Sequence, residues 1–228
     1  MYGLVCPLPE YPLKAAEEAH MDELLTLRKS VSTTISKFQQ QQRELPSVAD
    51  HLQALIDSLH EKLKSVDKEI ADLIAESATF EAAQRFDAIP GFGPVTAAAM
   101  TSRLNRKSFS HPEEWVAYLG LDVRVHESGQ RKGQLGLSKH GDAELRRLLF
   151  LAALANGRCK SSPFKDQYER ELAKGLSKTA ALCAVARKLA KVCWSLHKHG
   201  TTYDAARVSS PSHPAGSPPS TPDPKPAG

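Results

Sequence analysis

Apolar side chains between Leu13 and Leu45 fall at Leu24, Leu27, Val31, Ile35 and Phe38, steps of three and four that share one side of a helix. Pro46 breaks the pattern, since its ring removes a backbone donor and collides with the preceding turn. Ser47 is placed to cap a second helix, with Asp50 in its positively polarised first turn. That helix carries the cleanest period in the chain. Leu52, Ile56, Leu59, Leu63, Val66, Ile70 and Leu73 alternate steps of four and three, which is a heptad seam that another helix must cover. The short proline turn predicts an antiparallel helical hairpin of coiled-coil type over 13–80, and self-association through the same seam satisfies the pattern as well. At 1.5 Å per residue each long helix reaches roughly 40 Å, the length of an arm that bridges protomers or spaces domains.

Past Phe80 the elements shorten. Ile89-Pro90-Gly91-Phe92-Gly93-Pro94 is a turn signal, and an Ala-rich helix follows it through Val95, Ala97, Ala98 and Met100. Ser110-His111-Pro112-Glu113 reads as a capping box for a short helix with Trp115 and Leu119, stopped by Gly120. Leu121 to Glu127 alternates, Ser128-Gly129-Gln130 is turn-like, and Gly133 to Leu137 returns with little polarity, which predicts a small β-hairpin. After the loop Ser138-Lys139-His140-Gly141, Asp142 caps a helix carrying Leu145, Leu148, Leu149 and Ala152. Ser162-Pro163 is read as the start of a further helix ended by Gly175, and Ser177 caps a last one running through Leu182, Val185, Leu189, Val192 and Leu196. The fold class is therefore mainly α. It comprises an extended lead-in over 1–12, the helical hairpin, a helical domain over 81–200 with a helix-hairpin-helix-like motif and a small β-hairpin, and a Pro/Ser-rich tail over 208–228 expected to be disordered.

Composition narrows the class little: of 228 residues, 41% are hydrophobic and 25% charged, as in ordinary soluble proteins. No apolar run approaches the ~20 residues a membrane helix needs, and Met1-Tyr2-Gly3-Leu4 lacks the layout of a signal peptide, so a cytoplasmic protein with no membrane partner is expected. Cys6, Cys159, Cys183 and Cys193 form no CxxC pair, which favours reduced thiols over zinc or disulfides. Charge changes the picture more. Residues 1–80 hold 8 Lys and Arg against 13 Asp and Glu, while residues 81–228 hold 22 against 13, so the second part is the candidate nucleic-acid face. Solvated helix faces account for the same excess without any ligand.

Two stretches could carry chemistry. At Gly91-Phe92-Gly93 the glycines permit positive φ or close approach, and the unpaired first amides of the following helix suit a phosphate. A Pro-Gly turn between packed helices gives the same letters. Further on, Arg131, Lys132, Lys139, His140, Arg146 and Arg147 surround Ser128 and Ser138, and a serine hydroxyl attacks only when its proton is removed or the developing charge is stabilised. Neither histidine there, His126 or His140, has metal-ligand spacing, and Ser-Gly is also a common turn.

The order of these features carries more than any one of them. The Pro-Gly stretch, Trp115 to Leu121, Ser128-Gly129, Leu137-Ser138-Lys139-His140-Gly141-Asp142 and Leu145-Arg146-Arg147-Leu148-Leu149 together resemble the C-terminal transposase domain of insertion-sequence family one-hundred-and-ten. These are serine transposases guided by a bridge RNA, relatives of the Piv invertases. The helical hairpin is similar to that family's coiled-coil segment, so the resemblance covers about Leu13 to Leu196. It implies a DNA transposase or recombinase that cuts and rejoins strands through a phosphoserine link. Ser128 is then the nucleophile, with Ser138 as second choice. Gly91, Phe92, Gly93, Arg131, Lys132, Lys139, His140, Arg146 and Arg147 are the DNA-binding residues. Partners implied are DNA, a guide RNA, and a second copy or an intact transposase through the coiled coil. The family's RuvC-like domain, which binds Mg2+, has no counterpart before Leu13, so no metal or other cofactor is expected on this chain. The expectation is a C-terminal fragment, a decayed element or one product of a split frame, whose active site needs the missing domain. The alternative is a non-catalytic nucleic-acid-binding remnant that associates with an intact transposase. A repair protein with a helix-hairpin-helix, unrelated to transposition, explains the first stretch but not the later ones.

Overall fold

Helix α1 spans Ala16–Glu44 and α2 spans Ala49–Glu76, joined by a 3-10 turn at Pro46–Val48. The computed structural model describes residues 16–128, 131–138 and 140–209, with 123–128, 131–136 and 209 described by their backbone alone. The expected lead-in, the tail from 210 onward and Lys139 lie outside the described residues. Partners with opposed numbering mark α1 and α2 as antiparallel: Arg28 Nε donates to Asp67 Oδ1 at 2.5 Å, and the Gln42 amide donates to Gln53 at 2.9 Å. The seam faces α1 within the same chain, with Ile56, Val66 and Ile70 buried. Leu27, read as part of the α1 stripe, is instead 42% exposed. Met21, Leu24, Val31 and Ile35 are buried, and Arg28 takes the place between them that a continuous seam would give to an apolar residue. Ser47 does not cap α2. Pro46 already starts helical turning, so Ser47 lies inside the turn, and Val48 stands at the cap without a side-chain bond.

Two hydrophobic clusters result. Val31, Ile35 and Ile56, flanked by half-buried Phe38, Leu59 and Leu63, make a thin strip in the outer arm. Met21, Leu24, Val66, Ile70 and Ile74, at the inner ends of the same helices, join the main core. The arm is thus rooted at one end and two helices thick at the other.

The body follows: α3 at Glu81–Phe86, α4 at Pro94–Arg106, α5 at Pro112–Tyr118, strands β1 at Val123–Ser128 and β2 at Arg131–Leu137, α6 at Ala143–Arg158, α7 at Lys165–Ala173, α8 at Lys178–His199 and α9 at Ala205–Ser209. The protein is mainly helical. Helix α8 is its axis, with Leu182, Val185, Leu189, Ala190 and Cys193 buried against α3, α4, α5, α6 and α7. Nearly every residue of α4 from Thr96 to Ser102 is buried, and its small side chains let neighbouring helices approach closely. Burial in this core pushes the Cys193 thiol far above its usual range, which keeps it protonated. Strands β1 and β2 pair antiparallel from Val123 opposite Leu137 to His126 opposite Gln134, and after an irregularity Ser128 stands opposite Arg131.

Caps at Asp142 and Ser177 form as read: Asp142 Oδ1 accepts from Glu144 N at 2.9 Å and Ser177 Oγ from Ala180 N at 3.2 Å. The box at Ser110 shifts by one residue. Pro112 at the first helical position makes His111 the cap, and Glu114 rather than Glu113 accepts from the Ser110 amide. Helix α7 starts at Lys165, not at Ser162-Pro163, because Ser162 is drawn into a turn where its Oγ accepts from Phe164 N and its carbonyl from Lys165 N. Among the described residues no helix is long and apolar enough to cross a membrane.

Candidate nucleic-acid interface

Ile89 to Phe92 form a tight turn, closed by Phe92 N–H donating to Ile89 O at 3.0 Å, with Pro90 and Gly91 at its centre and Gly91 at φ +80°. Proline second and a positive-φ glycine third are what a type II turn demands. Buried Ile89 and Phe92 pin both ends to the core. From behind, Asn156 on α6 donates through Nδ2 to Pro90 O at 2.6 Å and to Ala152 O at 2.8 Å, while its Oδ1 accepts from Ser162 Oγ at 2.5 Å. A Cβ at Gly91 would stand 2.9 Å from Ala152 O, so the glycine there serves packing against α6. Gly93 differs: its backbone is extended and none of the described residues lies within 4 Å of where a Cβ would be. Pro94 begins α4, no side chain caps it, and Ala97 N–H returns to Gly93 O. Only the Val95 and Thr96 amides are then left without an intrahelical partner beside the open face of Gly93.

The second loop is built on the end of α5. A Cβ on Gly141 would fall 2.2 Å from Tyr118 O, so only glycine lets this backbone lie against the α5 terminus. Arg146 Nη1 donates to Leu119 O at 3.1 Å and thereby ties α6 to the same terminus. Ser138 closes the base of the strand pair: its N–H donates to Asp122 O at 3.0 Å, and its Oγ donates to the Asp122 carboxylate. His140 is exposed. Arg147 pairs with Glu144 at 2.5 Å, and that bond holds the Glu144 carboxyl below its usual range. Of Ser128, Arg131 and Lys132 the structure gives the strand positions alone.

Other contributors escaped the sequence reading. Arg103 on α4 reaches Asp22 of the arm at 3.4 Å and Asp142 of the α6 cap at 3.5 Å. Asp22 also accepts from Ser102 Oγ at 3.0 Å and from Arg106. Asp22, Arg103, Arg106 and Asp142 border a cavity of about 350 Å³ between α1, α4 and α6, into which Lys29 and Glu144 also face. The arm root, the helix behind the Pro-Gly turn and the Asp142 loop are therefore one charged network. Asn156 had a signal in sequence, a lone amide in an apolar run, but its partners are too distant along the chain to be read. Among the described residues no group of three or more His, Cys, Asp and Glu is placed to hold a metal ion.

A mainly helical body bearing a two-helix arm, two glycine-built loops and a basic second half is the class that these features define. Residues 83–169, which contain both loops, match the family described as Transposase IS116/IS110/IS902. The chain is 29% identical over 174 residues to the transposase for insertion sequence element IS1328 of Yersinia enterocolitica, a match covering 72% of this chain and 50% of that protein. It is similar too to the transposase for element IS1111A of Coxiella burnetii, 29% over 167 residues, covering 70% and 46%. The pilin gene-inverting protein of Moraxella bovis shares 28% over 120 residues, covering 51% and 37%. The chain spans half or less of the length of these relatives.

Proposed function

We propose that this chain takes part in DNA transposition, supplying the nucleic-acid grip and the serine of a recombination site that a companion domain completes. The observation that carries this reading is the open Gly93. Neither its φ nor any neighbour among the described residues requires glycine there, whereas a phosphate approaching the Val95 and Thr96 amides would. Gly91 and Phe92 hold that turn against α6, which gives the stretch the role of a helix-hairpin-helix. On this reading Ser128 attacks a DNA phosphorus. Its Oγ–H gives its proton to water as Oγ forms the new P–O bond, the bond to one sugar oxygen breaks, and that oxygen takes up a proton from water to leave a free hydroxyl end. Arg131, Lys132, Lys139 and His140 neutralise the phosphoryl oxygens, Arg147 extends the contact, and Arg146 acts by holding α6 to the α5 terminus. The phosphoserine ester conserves the bond energy, so rejoining needs no high-energy cofactor. DNA and a guide RNA are the partners, and the outer arm, with Leu45, Val48 and Leu55 exposed, joins copies as a coiled coil.

A suicide substrate tests the nucleophile. With nicked DNA and the companion domain supplied in trans, the wild-type chain is expected to form a covalent protein–DNA adduct that Ser128→Ala abolishes; an adduct that survives the substitution overturns the assignment. A second reading has its own observation: Ser138 already donates to a carboxylate, the nucleophile–base pairing that a serine needs. Loss of the adduct in Ser138→Ala with its retention in Ser128→Ala selects that serine. Absence of any adduct, with DNA binding intact, selects the non-catalytic remnant.

A further inference from the structure

The carboxyl ends of α4 and α8 meet at a groove of about 430 Å³ that neither loop touches, bordered by Asn105, Lys107, Phe109, Trp194, His197 and Lys198. Among the described residues no carboxylate lines it. Basic residues in a helix's last turn ordinarily sit near its final carbonyls and complement the dipole. Here both lysines lie over aromatic rings. Lys107 Nζ is 5.3 Å from the Tyr118 ring centre and 5.5 Å from that of Phe109, and Lys198 Nζ is 4.9 Å from that of Trp194 while donating to Ser110 O at 2.9 Å. Among the described residues neither lysine has a carboxylate partner, although Lys191 nearby is paired with Glu113. The Trp194 ring is held in plane because its Nε1–H donates to Phe109 O at 3.2 Å, and Phe109 is itself braced edge-on by Trp115 at 5.1 Å.

We infer that this groove binds single-stranded nucleic acid, with the phosphates on Lys107 and Lys198 and a base against Trp194. The inference extends the nucleic-acid reading above to a second place but uses none of its residues. Ammonium groups without a carboxylate partner among the described residues, in one groove with a fixed, half-buried indole, are the two parts of a sequence-tolerant single-strand site, a backbone track and a stacking platform. Lys198 covers the indole in the free protein through a cation–π contact at an exposed position, which is weaker than base stacking. An arriving strand therefore exchanges that contact for a base, and the released ammonium turns to phosphate. A duplex offers phosphates but keeps its bases stacked, so it satisfies only half of the site. His197 adds little charge at neutral pH, because burial, and then Arg85, lower its imidazole below the usual range.

The protein carries its own reporter. It has two tryptophans, and Trp115 is fully buried, so a ligand in the groove changes the emission of Trp194 alone. Titration of the full chain with a short mixed-sequence single strand is expected to quench that emission, and the matching duplex to quench it less. Lys107→Gln with Lys198→Gln should weaken single-strand binding about tenfold and flatten the salt dependence by roughly 1.4 in slope, two phosphates at about 0.7 each. Lys107→Glu with Lys198→Glu, checked for folding by circular dichroism, should abolish the quenching. Binding without quenching, equal quenching by duplex, or an unchanged slope in the Gln pair overturns the inference. The titration reads occupancy of this groove and needs no strand cleavage, so failure of the serine assignment leaves this result readable.

Discussion

The inner and outer halves of the arm are written in the same heptad pattern and end in different physical states. Val66 and Ile70, one and two turns past Leu63, are sealed because α3 and α4 add a third layer over them. Ile56, earlier on the same seam, has α1 as its cover, and its neighbours Leu59 and Leu63 stay half-buried. The Arg28–Asp67 pair stands at the boundary and interrupts the apolar strip. A seam therefore fixes which faces meet, while the number of layers around it fixes how much the contact stabilises. The body can hold a site rigidly, and the outer arm is suited to adapt to a partner.

Truncations along the seam should separate the two halves most sharply. Ile70→Ala is expected to cost about 2 to 5 kcal/mol of global stability, measured by urea unfolding. Ile56→Ala should leave the global midpoint nearly unchanged and speed hydrogen exchange of outer-arm amides, since that region opens locally. Equal losses would show that the arm unfolds with the body. Within the body the two glycines of the turn make a smaller contrast. Gly91→Ala should cost about 1 to 3 kcal/mol, from its positive φ and the contact with Ala152. Gly93→Ala should leave stability unchanged or raise it by about 0.4 to 1 kcal/mol by restricting the unfolded chain, while weakening DNA binding in a filter or mobility assay. Undiminished DNA binding would remove Gly93 from the interface. The smallest effect belongs to the boundary. Arg28→Met with Asp67→Leu should join the two clusters and stabilise by no more than about 1 kcal/mol, because the pair it replaces is partly solvated. Slower exchange of the outer-arm amides is the check.

Periodicity and caps were readable because each is a local rule. The run from Leu52 to Leu73, the stop at Pro46, and the caps Asp142 and Ser177 all act within one or two turns of their own position. Small errors at Ser47, Glu113 and Ser162 arose where proline, or a turn in which Ser162 accepts from the Phe164 and Lys165 amides, reset the start of a helix. The short helix α3 went unassigned, since six residues hold too little period to stand out. For the site, the glycine motifs were visible and their reasons were not. Gly91 and Gly93 look alike in the chain, yet α6 backs the first and open space faces the second.

By itself the amino-acid order determined the long helices, their turn, the basic second half and the series of motifs shared with transposases, because these follow from neighbours along the chain. Tertiary structure alone decided that Asn156 holds the Pro-Gly turn from 66 residues away, that Arg103 ties the arm to the Asp142 loop, and that two helix ends bring Lys107 and Lys198 beside one indole. Such contacts depend on how helices cross, and crossing is set by the summed fit of many small side chains rather than by any local signal.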